Sequence, residues 1–402
     1  MLRFVDVEEA RRRIRDQIYL SPLSYSETIS RMSSSKVFFK LDNLQMTGSF
    51  KERGALNRLL TLTTDEAERG VIAASAGNHG MAVAFHSRRL NVESTIVMPV
   101  HAPLIKVGRV RLYGAQTILH GEDYDGAFTE AQRLSQERGL TFLHAFNDPT
   151  IIAGQGTIGL ELYEQNSHLD AVIVPVGGGG LIAGTALVLK VLNPQIQIIG
   201  VQAEAIPSMK AALEIGAPIR LAPATTIADG IAVRRVGETA LELVKQHVDE
   251  IVTVTEGEIA NAVLLLLEIE KTVAEGAAAA PLAALINKKV SLRDKNIALI
   301  VSGGNIDVNL ISRIIEKGLI QDGRLSRFSV VIFDRPGNLA RLTQRIADFD
   351  ANILQIGQSR GFGRIAIDQT EVELVVETAG LDHVERIRNQ LSKDGFQVRW
   401  ES

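Results

Sequence analysis

The chain has 402 residues, 46% hydrophobic and 22% charged, enough for two or three domains at roughly 100–200 residues each. Its 43 Lys and Arg against 47 Asp and Glu leave a formal charge of −4, which argues against a nucleic-acid partner, normally marked by a basic excess on one face. No cysteine occurs, which excludes disulfides, thiolate metal sites and thiol nucleophiles; 34 glycines, several of them clustered, mark places where backbone can approach a ligand.

Asp6, Glu8 and Glu9 precede Arg11, Arg12 and Arg13, and no apolar stretch follows, so no secretory signal is read and a cytoplasmic location is expected. From about residue 36 to 320, short apolar runs alternate with amphipathic stretches. Val37–Leu41, Val71–Ala74, Ser94–Met98, Gln116–Leu119, Ala171–Val176, Gln197–Gln202 and Ile297–Val301 read as buried strands. Asp125–Arg138 and Glu256–Lys271 read as helices between them. This alternation predicts an α/β fold with mostly parallel sheets, whose ligands sit in the strand-to-helix loops. Residues 171–189 carry no charge and are long enough to span a membrane, but Pro175 and the run Gly177–Gly180 split them into strand, loop and helix. No membrane partner is therefore expected.

After Gly318 the pattern changes. Residues 321–326 read as a linker, and beyond it strands are expected at Phe328–Phe333, Ile353–Ser359, Glu371–Glu377 and Gln397–Trp400. Helices are expected from the turn at Arg335–Asn338 through Asp350 and over Leu381–Lys393. The order βαββαβ predicts a ferredoxin-like domain over 327–402, following a first part over 1–320.

Four constellations carry chemical potential. Thr47–Gly54 (TGSFKERG) places Lys51 beside glycine and an aromatic; a lysine held against a carbonyl is a nucleophile, although a solvated lysine opening a helix would look the same. Ser75–Gly80 (SAGNHG) follows a strand and opens a helix, where free N–H groups attract an anion and Asn78 offers a donor and an acceptor. An ordinary Ser/Asn cap remains the alternative. His79 is readable as a base or as a structural histidine. Gly177–Gly180, with Leu181, allows successive N–H groups to converge on a phosphate, and lacks both the GxxxxGK[ST] and full GxGxxG patterns. Ser302 in SGGN stands at a strand's carboxyl edge, able to exchange a neutral hydrogen bond, or in a simple turn. A lysine, an anion turn, a phosphate nest and a neutral hydroxyl together suit pyridoxal phosphate.

The ordered motifs GSFKERGA, SAGNHG, MPVHAPLIKV, GEDYDGA, AGQGTIGLEL, PVGGGGL, TIADGI and SGGN resemble fold-type II pyridoxal-phosphate enzymes, most closely the threonine dehydratase family, over roughly residues 3–322. That resemblance implies two α/β subdomains, the smaller at about 48–147. The tail, with DRPGNL, resembles an ACT domain, a regulatory module that binds amino acids. By resemblance, Lys51 holds the cofactor as a Schiff base and then acts as base, Phe50 packs near the pyridine ring, and Asn78 bonds the phenolic oxygen. Gly177, Gly178, Gly179, Gly180 and Leu181 hold the phosphate, and Ser302 faces the pyridine nitrogen. Ser75, Ala76, Gly77, Asn78 and His79 bind the substrate carboxylate. The implied reaction converts L-threonine to 2-oxobutanoate and ammonia, and L-serine to pyruvate. The implied effector site is Asp334, Pro336, Gly337, Asn338 and Leu339, between paired tails of a dimer or tetramer.

Two departures qualify the resemblance. Serine racemases of the family carry a second serine where Ala76 stands, so elimination without efficient racemisation is expected. A divalent-cation site of some relatives falls here on Glu204, Ser208 and Lys210, and an ammonium repels a cation, so no metal is expected. The competing readings are a serine racemase or β-replacing synthase of the same fold, and a non-enzymatic amino-acid sensor.

Overall fold

Runs of Val, Ile and Ala that are buried on both faces become the central strands of two mostly parallel sheets. In the computed structural model, which describes residues 2–360 and 365–401, the strands are β1 (Leu23–Ser26), β2 (Lys36–Leu41), β3 (Val71–Ala74), β4 (Ser94–Met98), β5 (Gln116–Leu119), β6 (Thr141–Phe142), β7 (Ala171–Pro175), β8 (Gln197–Ala203), β9 (Glu250–Val254) and β10 (Asn296–Val301). One sheet runs β1-β2-β10-β7-β8-β9, parallel except for the antiparallel edge strand β1. The other runs β5-β4-β3-β6, all parallel. The smaller sheet is an insertion: the chain leaves the larger one after β2 and returns at β7.

All seven expected strands of this region lie within one residue of their predicted ends. Three others went unpredicted. β1 (LSYS) has no apolar alternation and β6 is two residues long, so their pairing comes from neighbours rather than from pattern. The predicted helix Glu256–Lys271 ends at Glu268, because Lys271 turns into the left-handed region at φ 54°. The uncharged run 171–189 is β7, a loop and the helix Gly180–Leu192; among the described residues no helix is long and apolar enough to cross a membrane.

A helix at Pro149–Gln165 binds the site's supports together. It packs on Lys51–Leu59 on one side and Gly180–Leu192 on the other. The approach is close enough that a Cβ on Gly154 would lie 2.5 Å from the Arg53 carbonyl, and one on Gly184 would lie 2.4 Å from the Ile152 carbonyl. Gly154 and Gly184 thus let three helices touch backbone to backbone.

Contacts divide the chain into Met1–Ile306 and Asp307–Ser402. The boundary falls earlier than the 321–326 segment read as a linker. That segment holds the last residue of the helix Val308–Gln321, a short turn and the start of a strand. The second unit contains β11 (Leu325–Phe333), β12 (Asn352–Ser359), β13 (Gln369–Glu377) and β14 (Gln397–Glu401), ordered β12-β13-β11-β14 and antiparallel throughout. Helices Asn338–Ala347 and Leu381–Lys393 complete the ferredoxin-like βαββαβ order. Alternate residues Phe328, Val330 and Ile332 meet Val372, Leu374 and Val376, covered by Leu342, Ile346, Ile387 and Leu391 at helical i, i+4 spacing. The first of these helices stops before Asp350, whose φ of 57° ends it.

Candidate active site

Lys51 is placed by two loops stitched together. Because β2 and β10 are neighbours, the segments that follow them meet: Ser49 bridges Gly303, Phe50 N–H donates to the Ser302 carbonyl at 2.9 Å, and Gly304 N–H donates to Gly48 at 2.9 Å. Lys51 then opens the helix Lys51–Leu59. Two residues on, the fully buried Arg53 donates to both oxygens of Asp42 (2.7 and 2.9 Å) and of Glu161 (2.5 and 2.9 Å). Glu161 also accepts from the buried Lys40 at 2.6 Å. With every charge paired, this network fixes the base of the lysine's helix; removing one partner would cost about 3–5 kcal/mol.

The loop between β7 and the helix Gly180–Leu192 is built from backbone. Gly179 lies at φ 97°, and no side chain caps the helix. Among the described residues, the N–H groups of Gly177–Leu181 have no protein acceptor. They are a run of free donors at the positive end of a helix dipole. A Cβ on Gly178 would lie 2.3 Å from the Phe146 ring, so only glycine fits there.

The loop between β3 and the helix Asn78–Arg89 differs. Gly77 is its cap; among the described residues nothing lies within 4 Å of where a Cβ would stand, and the N–H groups of Ala76, Asn78 and His79 have no acceptor. Ser75 Oγ accepts from Gly77 N–H at 3.2 Å. Asn78 Nδ2 donates to both oxygens of Glu275, at 2.8 and 3.0 Å, and Asn78 Oδ1 accepts from Asn305 Nδ2 at 2.9 Å.

Burial sets the charges. It pulls the Lys51 amine down to about 8, against the opposing pull of Glu275. Lys51 Nζ donates to the Ala145 carbonyl at 3.0 Å and lies 5.1 Å from the centre of the Phe50 ring. Burial, seconded by Lys51, holds His79 down to about 3 and His144 down to about 4. Both imidazoles are therefore neutral. His79 Nε2 bonds the Leu143 carbonyl at 3.0 Å, which makes it the protonated nitrogen and leaves Nδ1 an unpartnered acceptor. Glu275 is pushed up to about 7 by burial and then by Asp229.

Lys51, Phe50, Ser75, Ala76, Gly77, Asn78, His79, Gly177–Leu181 and Ser302 all line one cavity of about 240 Å³. Sequence reasoning missed Glu275, Tyr124 and the pair Lys106–Asp229 (2.5 Å), which line the same cavity. Glu275 did leave a signal: it is the sole charge between Thr272 and Asn287. Glu204 and Lys210 are exposed. The proposed effector residues lie in the second unit. Asp334 accepts from Arg360 at 2.7 and 3.3 Å, Asn338 Nδ2 donates to the Phe333 carbonyl at 3.0 Å, and Leu339 packs on the core. Pro336 and Gly337 are exposed.

These residues fit pyridoxal phosphate. The unpaired N–H groups of Gly177–Leu181 suit a phosphate dianion, the desolvated Lys51 amine suits an aldehyde, and Ser302 Oγ has no protein partner among the described residues. The sequence profile of the family "Pyridoxal-phosphate dependent enzyme" matches residues 14–303. An L-threonine ammonia-lyase of Thermotoga maritima is 45% identical over 99% of both chains. Among solved structures, the processed form of threonine deaminase isoform 2 from Solanum lycopersicum aligns with a TM-score of 0.74 at 36% identity, over 78% of this chain and 86% of its own. Serine racemase from Dictyostelium discoideum gives 0.71 at 35%, over 76% and 99%. A half-buried lysine that shares a cavity with a glycine loop of free N–H groups, together with these likenesses, identifies the chain as a member of the pyridoxal-phosphate dependent enzyme family.

Proposed function

We propose that this enzyme catalyses β-elimination of L-threonine to 2-oxobutanoate and ammonia, and of L-serine to pyruvate. The observation that carries the reading is that Lys51 and two loops with N–H groups unpaired among the described residues line one cavity. The relatives named L-threonine ammonia-lyase support threonine as the substrate. When bound, pyridoxal phosphate supplies an aldehyde that captures the amino group and a conjugated ring that delocalises charge from Cα.

The chain supplies the rest. Gly177–Leu181 would hold the phosphate, and Phe50 would lie near the pyridine ring. The N–H groups of Ala76, Asn78 and His79 hold the substrate carboxylate and so aim Cα at Lys51. Lys51 Nζ takes the Cα proton; an amine lowered to about 8 is about one-tenth neutral at pH 7, far more than an ordinary lysine, as a base requires. Ser302, a neutral hydroxyl lining the cavity, would face the pyridine nitrogen as a hydrogen-bond partner and, having no charge, would not fix a proton there. Ala76 presents no hydroxyl to return a proton on the other face.

Incubation with L-serine tests this directly. Pyruvate and ammonia should form in equal amounts while D-serine stays at trace level; rapid D-serine formation would overturn the role given to Ala76 and favour a racemase.

For the second unit we propose an amino-acid effector site at Asp334–Leu339, formed where tails pair in a dimer or tetramer. The Arg360–Asp334 pair and the exposed Pro336–Gly337 turn support it. A ligand of the folded state raises its melting temperature. Isoleucine, valine, threonine and serine leaving melting and kinetics unchanged would refute it.

A further inference from the structure

Glu275 and Asn78 meet inside the cavity, and their hydrogen bond can run in either direction. A side-chain amide turned end for end fills the same space, so packing does not choose its orientation; only its partners do. Glu275, raised to about 7, is partly protonated near neutral pH, and a protonated carboxyl could donate to Asn78 Oδ1 as readily as a carboxylate accepts from Nδ2. The orientation must therefore be set from the other side.

That side is unambiguous. Arg109 donates from its guanidinium to Asn305 Oδ1 at 3.1 Å, and a guanidinium has no acceptor. Asn305 Nδ2 donates to the Thr47 carbonyl at 2.7 Å, and a carbonyl has no donor. Both partners force Asn305 to turn the same nitrogen to Asn78 Oδ1, at 2.9 Å. The relay is also close-packed: a Cβ on Gly48 would lie 3.0 Å from both terminal atoms of Asn305, and one on Gly303 would lie 2.5 Å from Glu275 Oε1 and 3.1 Å from Asn78 Nδ2.

We propose that Arg109 and Asn305 are positioning residues that lock the Asn78 amide with its NH2 toward Glu275 and the cofactor's phenolic oxygen. The proposal rests on the reading of Asn78 as the contact to that oxygen. Arg109 lies on the exposed face of the helix Leu104–Leu112, so a surface residue reaches the reacting centre through two amides. With the lock intact, the donor offered to the phenolic oxygen does not change as Glu275 titrates among its charged neighbours Asp229, Lys106 and Lys51. Without the lock, the orientation of Asn78 follows the protonation of Glu275.

The test is the absorption spectrum of the holoenzyme across pH 6–9, read with kcat, KM and melting temperature, for Arg109→Met, Arg109→Lys, Asn305→Ala and Asn78→Ala. In Asn305→Ala, and less strongly in Arg109→Met, where the Thr47 carbonyl still holds Asn305, the balance of the cofactor's visible and near-ultraviolet bands should become pH-dependent. With KM for L-threonine little changed, kcat should fall about tenfold in Asn305→Ala and about two- to five-fold in Arg109→Met. Arg109→Met should melt as the parent does, and Arg109→Lys should restore spectrum and rate. Parent-like spectra and kcat in both Arg109→Met and Asn305→Ala, with Asn78→Ala altered, would overturn the relay alone. A parent-like spectrum in Asn78→Ala would overturn the cofactor contact, and the relay's purpose with it.

Discussion

Two loops of this enzyme share a plan, strand to glycine-rich turn to helix, and use it in opposite ways. After β7, the segment Gly177–Leu181 contributes only N–H groups and is braced by Phe146, Met209 and Ala240, with Cβ positions at 2.3–2.9 Å on Gly178 and Gly179. After β3, the segment Ser75–His79 contributes side chains as well, and Gly77 faces open space. On the proposed reading, the first loop would receive the cofactor's phosphate, which stays, and the second the substrate's carboxylate, which comes and goes. A fixed anion is held best by preorganised backbone dipoles, whereas a substrate also needs groups that hold or direct protons.

The comparison predicts unequal costs for the same small change. Gly178→Ala drives a methyl into the Phe146 ring, an overpacking cost of about 1–3 kcal/mol, and should weaken pyridoxal-phosphate affinity up to about a hundredfold in a spectrophotometric titration. Unchanged affinity would mean that the loop is not braced.

The second prediction separates the loops by titration, since the glycine loop has no ionisable group. His79 is held at about 3, below its ordinary 6.5, so its stabilising share is complete above pH 6.5 and is lost as pH falls from there toward 3. His79→Asn should narrow the difference in urea stability between pH 7 and pH 4.5 by about 1–2 kcal/mol. An unchanged difference would show the imidazole to be solvated.

The smallest effect is expected at Gly77→Ala. Its methyl meets nothing of the protein, so cofactor affinity should hold while KM for L-threonine rises a few-fold, as crowding of the substrate carboxylate requires. A cofactor defect as large as that of Gly178→Ala would erase the distinction between the loops.

The sequence revealed what has local cause. Strands such as β3, buried along its whole length, announce themselves by composition, and the glycine runs by their conformational cost. Pairings between distant segments were hidden. Glu275 reads as one acid before an alanine run, and its meaning depends on Asn78, 197 positions away. Asn305 is visible inside SGGN, but its task appears only once Arg109 and Thr47 are seen on its two ends. The Arg53–Asp42–Glu161 network has no motif, because its members come from three elements that only the fold brings together. In the tail, alternation located the strands, but the boundary was displaced because the amphipathic helix Val308–Gln321 looks like the end of the preceding part.

The central claim is that Lys51 is both the cofactor's anchor and the base that acts on L-threonine. The most direct measurement is 2-oxobutanoate formation from L-threonine by the holoenzyme and by Lys51→Ala, with the bound cofactor's spectrum recorded alongside. The account predicts that the variant loses the visible band of the lysine-bound cofactor, still binds pyridoxal phosphate through Gly177–Leu181, and turns over at least about a thousandfold more slowly. A Lys51→Ala enzyme that made 2-oxobutanoate at the parent rate would contradict it.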